Sequence, residues 1–166
     1  MNDFDSAFDE NKLPSGINVL TILTFIGSGL GVLSGFWSYF KSADNLANME
    51  AMVNKPEFEK FPEFVKKMYS PEALDLVRKV DANKLPIAVI TILSSFLCVY
   101  GAIEMRKLKM SGFYTYIVGS VVPYIGYALF VGIAFITSGW TAYIGIAITV
   151  LFIILYGSQS KFLVKK

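Results

Sequence analysis

Four stretches of the chain carry no Asp, Glu, Lys or Arg: Ile17–Phe40, Ile87–Ile103, Phe113–Ile136 and Trp140–Tyr156. Charged islands separate the first three, and the uncharged residues 137–139 join the last two. A membrane-crossing helix needs about 17–25 mainly apolar residues, because each residue rises about 1.5 Å through a hydrocarbon core about 30 Å thick. Each Leu, Ile, Phe or Val near a helix centre favours insertion by about 0.3–0.6 kcal/mol, and a central charge opposes it by about 2.5–3.5. The second and fourth stretches, the weakest, hold nine such residues apiece. Their sum still favours the bilayer by about 3–5 kcal/mol.

The runs are apolar on every face. A soluble helix keeps a polar face for water, and a spanning barrel strand alternates with period two; neither pattern is present. The predicted fold is therefore all-α, a polytopic membrane protein with four transmembrane helices in an antiparallel bundle. The short connections 104–112 and 137–139 make consecutive helices antiparallel neighbours. Residues 1–16 form an acidic tail, 41–86 a partly helical loop, and 157–166 a basic tail.

Charge decides the expected sidedness. The 104–112 connection carries Arg106, Lys107 and Lys109 against Glu104, and the C-terminal tail adds Lys161, Lys165 and Lys166. The block from Lys41 to Lys84 holds eight basic and eight acidic residues. Short basic segments beside helix ends weigh more than long translocated loops. Both termini are thus expected in the cytoplasm and the 41–86 loop outside. Trp37 and Trp140 fall at the outer boundary, and Tyr100, Tyr114, Tyr116 and Tyr156 near the inner one, where amphipathic rings favour the headgroup zones. The leader, with Asp3, Asp5, Asp9 and Glu10, lacks the positive start and short apolar core of a cleaved signal.

Within the spans, Gly27, Gly31 and Gly35 form a ridge at steps of four, with Ser28, Ser34 and Ser38 beside it. Small residues let helix backbones approach closely in lipid. The ridge reads as packing against another span of the same chain or as the seam of a homodimer. In the third span, Pro123 removes one helix hydrogen bond and crowds the Gly119 carbonyl, so a kink is expected. Tyr116, Ser120 and Tyr127 share its face roughly, and Tyr124 sits beside it. These five residues are the candidate intramembrane pocket. Bonding of the same hydroxyls to neighbouring backbone is the competing reading.

In the outer loop, Ser42 is read as the cap of a helix carrying Leu46, Met49 and Val53. Pro56 and Pro62 suit helix starts, and Ser70-Pro71-Glu72 repeats the start signal before Leu74 and Val77. Phe58, Phe61, Val65 and Met68 approximate helical spacing. A segment this short rarely holds a core alone, so its apolar stripe is expected on the bundle top, the bilayer interface or a partner protein.

The chemistry available is sparse. Of 166 residues, 17% are charged, none is histidine, and Cys98 is the single cysteine. The commonest zinc ligand and the usual neutral-pH base are missing, and no cofactor or metal is expected. A net charge of +2 gives no electrostatic reason for a nucleic-acid partner. No span holds a carboxylate or basic residue of the kind ion-coupled carriers use. Glu104, Arg106 and Lys107 cluster where a lipid head group would meet them, but no acid and base can be assigned.

At LPSGINVLTILTFIG (Leu13–Gly27) and RKLKMSGFYTYIVG (Arg106–Gly119) the chain resembles small uncharacterised four-span membrane proteins of Bacteroidetes-type bacteria. The resemblance implies a multi-pass protein of a bacterial cytoplasmic membrane and brings no activity or site residue. The expected function is a non-catalytic accessory or scaffold subunit, with the bilayer, a membrane-protein partner or a second copy as partners through the first span or the 41–84 loop. The alternative is a passive channel or uncoupled transporter passing Pro123 and the tyrosines. A lipid-directed interfacial enzyme is third.

Overall fold

The structure, a computed structural model, describes residues 13–137 and 140–164, and the side chains of all of these except Trp140 and Thr141. The acidic leader residues, Ser138, Gly139, Lys165 and Lys166 lie outside the described residues, as does the expected position of the Trp140 ring. The element order is α1 (Ser15–Val53), a 3-10 turn (Pro56–Lys60), α2 (Glu63–Met68), α3 (Pro71–Ala82), α4 (Lys84–Arg106), α5 (Met110–Phe130), α6 (Ile133–Thr137), α7 (Trp140–Gln159) and a last 3-10 turn (Ser160–Phe162). Helices α1, α4 and α5, and the segment Ala142–Phe162 that includes most of α7, are long and apolar enough to cross a membrane. Among the described residues the one β-type pairing is an isolated bridge between Lys109 and Val164.

The surface is inverted relative to a water-soluble bundle. Leu33 is 67% exposed and Leu129 76%, while Thr21, Thr24, Ser28, Ser94 and Ser95 are buried. In water such an arrangement would leave the large apolar side chains solvated and desolvate the hydroxyls. In hydrocarbon the outward leucines lose nothing, and the hydroxyls and small residues become the packing face.

Helix α1 corrects the loop reading. It does not stop at Phe40, and Ser42 does not cap a second helix: the helix is continuous to Val53, with Ser42 buried on its packed face. The reason lies in phase. Thr24, Ser28, Gly31, Gly35 and Ser42, then Leu46, Met49 and Val53, follow one another at helical steps down one face, and no Gly or Pro interrupts Phe36–Val53. Lys41 and Asp44 join the exposed face as an i,i+3 ion pair at 2.7 Å. At about 1.5 Å per residue a helix of this length runs about 58 Å, nearly twice a hydrocarbon core.

Helix α3 lies along the extension of α1, where Arg78 donates to the Glu50 carboxylate at 2.7 Å. Its start is built as a cap: Ser70 Oγ accepts from the Ala73 amide at 3.2 Å, and Pro71 follows in the first turn. Between the two helices, Phe58 meets Phe61 and Tyr69 edge-on. Asn83 Nδ2 donates to the Phe130 carbonyl at 3.1 Å, tying the head of α4 to the end of α5.

Helices α4 and α5 make the closest contact. A Cβ on Gly101 would stand 2.7 Å from the Gly112 carbonyl oxygen, and one on Gly112 would stand 2.5 Å from that of Gly101. Only glycine allows this backbone approach. Further along, Gly119 faces Leu97 and Cys98, and Gly126 faces Ile90. The third span, expected to run unbroken from Phe113 to Ile136, ends at Phe130. There Val131 and Gly132 both donate to the Tyr127 carbonyl, and Gly132 takes φ 111°, a positive-φ helix stop suited to glycine. Helix α6 then starts afresh.

Three chain segments meet at one end of the bundle. Ile17, Leu20, Met105, Tyr116 and Tyr156 form the buried cluster there, with Leu13, Leu108 and Leu163 against it. The Val164 amide donates to the Leu108 carbonyl at 2.7 Å, and the Met110 amide to the Val164 carbonyl at 3.1 Å.

Candidate functional site

The five residues singled out on α5 go to different neighbours. Tyr116 is buried, its ring centroid 4.7 Å from that of Tyr156, whose hydroxyl is hydrogen-bonded to Thr24 Oγ1 at 2.8 Å. Ser120 Oγ turns back to its own helix and donates to the Tyr116 carbonyl at 2.7 Å. The Tyr124 hydroxyl pairs with Thr149 Oγ1 at 2.8 Å. Tyr127 stacks on Phe135 at 4.6 Å with ring planes 9° apart. Pro123 lines a crevice with Ile87, Ile90, Thr91, Gly126 and Tyr127 that leaves no room for a water molecule.

Tyr124 and Tyr127 do come together. With Phe135, Ile136, Ala142 and Gly145 they line a recess of about 140 Å³ between α5, α6 and α7. That is below the roughly 300–1,000 Å³ of ordinary small-molecule sites. Tyr116 and Ser120 are not part of it.

The proline has a partner that spacing along one helix cannot reveal. An amide at position 123 would bond the carbonyl of Gly119, four residues earlier; proline has none. Ser94 Oγ, from α4, donates to that carbonyl instead.

On the glycine ridge, Gly31 and Gly35 face α4: a Cβ on Gly31 would meet Ser95 Oγ at 2.7 Å, and one on Gly35 would meet Ile92 at 3.2 Å. A Cβ on Gly27 would meet nothing within 4 Å. Two of the three glycines therefore pack within the chain, and the third lies on an open surface.

A second constellation sits at the end where the three segments meet. Glu104, 6% exposed, takes Lys107 Nζ at 3.2 Å and Lys109 Nζ at 2.9 Å on its two carboxylate oxygens. The hydrogen bond to Glu104, followed by its charge, raises the pKa of the Lys109 ammonium above its ordinary value. Arg106 Nη1 donates to Thr21 Oγ1 on α1 at 3.2 Å, and Thr21 is wholly buried. Leu108 adopts φ 56° to make the turn. Among the described residues no three His, Cys, Asp or Glu side chains gather as a metal site.

Fold and surface together are those of a multi-pass helical membrane protein: four helices long and apolar enough to cross a bilayer, packed on small and hydroxylated faces. No family model, no curated protein and no solved structure matches the chain.

Proposed function

We propose that this protein is a non-catalytic accessory or scaffold subunit of a bacterial cytoplasmic membrane, an antiparallel four-helix bundle with both termini in the cytoplasm. The observation that carries the reading is the hairpin of α1 and α3. About half of the length of α1 exceeds a hydrocarbon core, and the segment at its tip leaves Phe64 71% and Met68 57% exposed. Large apolar side chains exposed beyond the length of a span suit a surface that another protein covers. The orientation rests on Arg106, Lys107, Lys109 and Lys161 at the opposite end, against the balanced charge of the hairpin. The resemblance to small four-span proteins of Bacteroidetes-type bacteria supports the choice of membrane.

The test is isolation of the tagged chain from native membranes in mild detergent, beside the variant Phe64→Glu/Met68→Glu. The wild type is expected to carry a stoichiometric companion that the variant loses. A wild type that elutes as a bare monomer sinks the reading. Sidedness is tested with Lys66→Cys in a Cys98→Ser background, whose label is expected from outside the cell; labelling from the cytoplasm alone overturns it.

Among the described residues, the recess at Tyr124 and Tyr127 is the one feature that bears on a second reading, a passive channel or uncoupled transporter near Pro123, whose own crevice is closed to water. Solute flux in proteoliposomes is its measurement, and flux indifferent to Tyr127→Phe and Pro123→Ala removes it.

A further inference from the structure

We infer that the turn joining α4 to α5 is a binding site for the phosphodiester headgroup of an anionic lipid, with Arg106, Lys107 and Lys109 as its donors and Glu104 as the residue that positions them. The inference rests on the membrane reading of the four helices, since it needs this end of the bundle to lie at the headgroup level.

Lysines and arginines that only set topology need no fixed geometry, because the rule counts charge. Here every one of the three is held. Lys107 and Lys109 are drawn onto the two oxygens of one buried carboxylate, and the guanidinium of Arg106 reaches a buried hydroxyl on α1. The turn beneath them is pinned by the backbone bonds of Val164 to Leu108 and Met110. Each ammonium has three donors and a guanidinium five, so the tethers leave donors to spare, and side chains of Lys107 and Lys109 are 57% and 46% exposed. The carboxylate is the informative member. A chain selected only for positive charge at this boundary has no use for Glu104, which subtracts from it and sits out of water. Its geometric effect is to gather two ammonium groups at one place, where a singly charged phosphodiester accepts from both and from Arg106. Preorganised donors lose less freedom when the anion arrives.

The site therefore predicts an effect opposite to that of diffuse charge. Glu104→Gln raises the net charge of this end by one, so charge alone strengthens the attraction for anionic lipid. Loss of the positioning carboxylate weakens it instead. The experiment uses the full chain in detergent micelles doped equally with phosphatidylglycerol and phosphatidylcholine, with native mass spectrometry reading which lipid stays bound. The wild type is expected to retain one phosphatidylglycerol in preference. Glu104→Gln and Arg106→Gln should each lower that preference about tenfold, the worth of one hydrogen bond to a charged group. Lys161→Gln, which removes the same unit charge nearby, should leave it within about twofold, as expected for an exposed charge in water.

Preference kept or increased in Glu104→Gln overturns the site. If that variant fails to fold, equal losses in Arg106→Gln and Lys161→Gln overturn it just as well. Displacement of the lipid by inorganic phosphate in the tens of millimolar identifies a free anion as the ligand and overturns the lipid assignment. Failure of the membrane reading looks different: the chain then stays dispersed without detergent and retains neither lipid.

Discussion

Ser94 hydrogen-bonds the carbonyl of Gly119, the group that Pro123 leaves without an amide. The proline thus sits in α5 without an orphaned acceptor in an apolar interior, where such a group costs about 1–3 kcal/mol. The pairing makes a two-way prediction. Ser94→Ala should cost about 1–2 kcal/mol in the wild type, and much less in a Pro123→Ala background, where the restored amide takes the Gly119 carbonyl. Reversible unfolding in mixed micelles measures the cycle. Equal costs in both backgrounds would falsify the pairing.

Gly101 and Gly112 stand backbone to backbone, with a 2.5 Å approach awaiting any Cβ on Gly112. Backbone cannot retreat as a flexible side chain can. Gly112→Ala is expected to cost about 1–3 kcal/mol through overpacking. Gly27→Ala, with nothing within 4 Å, should be neutral or gain up to about 1 kcal/mol of helix propensity. The pair also tests the homodimer seam: a Gly27→Ala variant that shifts a dimer to monomer on sedimentation shows that the open glycine is an intermolecular contact.

These particulars mark what was legible in the chain. The apolar runs of α1, α4, α5 and α7 are visible because the bilayer imposes a length and excludes charge. The end of α1 is not, because Lys41 signals a change of solvent and not of backbone; the phase of Leu46, Met49 and Val53 with Gly31 and Gly35 carries the signal. The stop at Gly132 was available in principle, as a glycine late in the apolar run. Spacing puts Tyr116 and Tyr127 roughly on one face of α5, yet Tyr116 and Tyr124 meet α7 while Tyr127 stacks on α6. Ser94 and Gly119 meet only through the register of two helices, which no single-helix period encodes.

Lys109 ties stability to alkaline pH. Its pKa is raised above the usual 10.5, first by the hydrogen bond to Glu104 and then by its charge. A group raised on folding contributes fully below its unfolded pKa and loses that contribution as pH climbs through the folded one. The stability difference between wild type and Glu104→Gln should therefore stay level from about neutrality up to about pH 10 and shrink above it. Thermal unfolding of both proteins between about pH 9 and about 12 reads this. A difference that stays level to about pH 12 overturns the assignment, whereas shrinkage in acid reports only protonation of Glu104 itself.

Two hydroxyl pairs hold α7 in place. Tyr156 reaches Thr24 on α1 and Tyr124 on α5 reaches Thr149, both at 2.8 Å. Positions 149 and 156 are two turns apart on α7, so the pairs form separate clasps along it. Most of the large side chains between them, Val150, Leu151, Ile154 and Leu155, face outward, which leaves the clasps an unusual share of the attachment. Interhelical hydrogen bonds in membranes average about 0.6 kcal/mol and reach about 1.7. Tyr156→Phe and Tyr124→Phe should each cost an amount in that range, and the double variant their sum, since sites well apart without shared partners add. If stability is unchanged in the double variant, apolar packing alone fixes α7 and the hydroxyls are incidental to it.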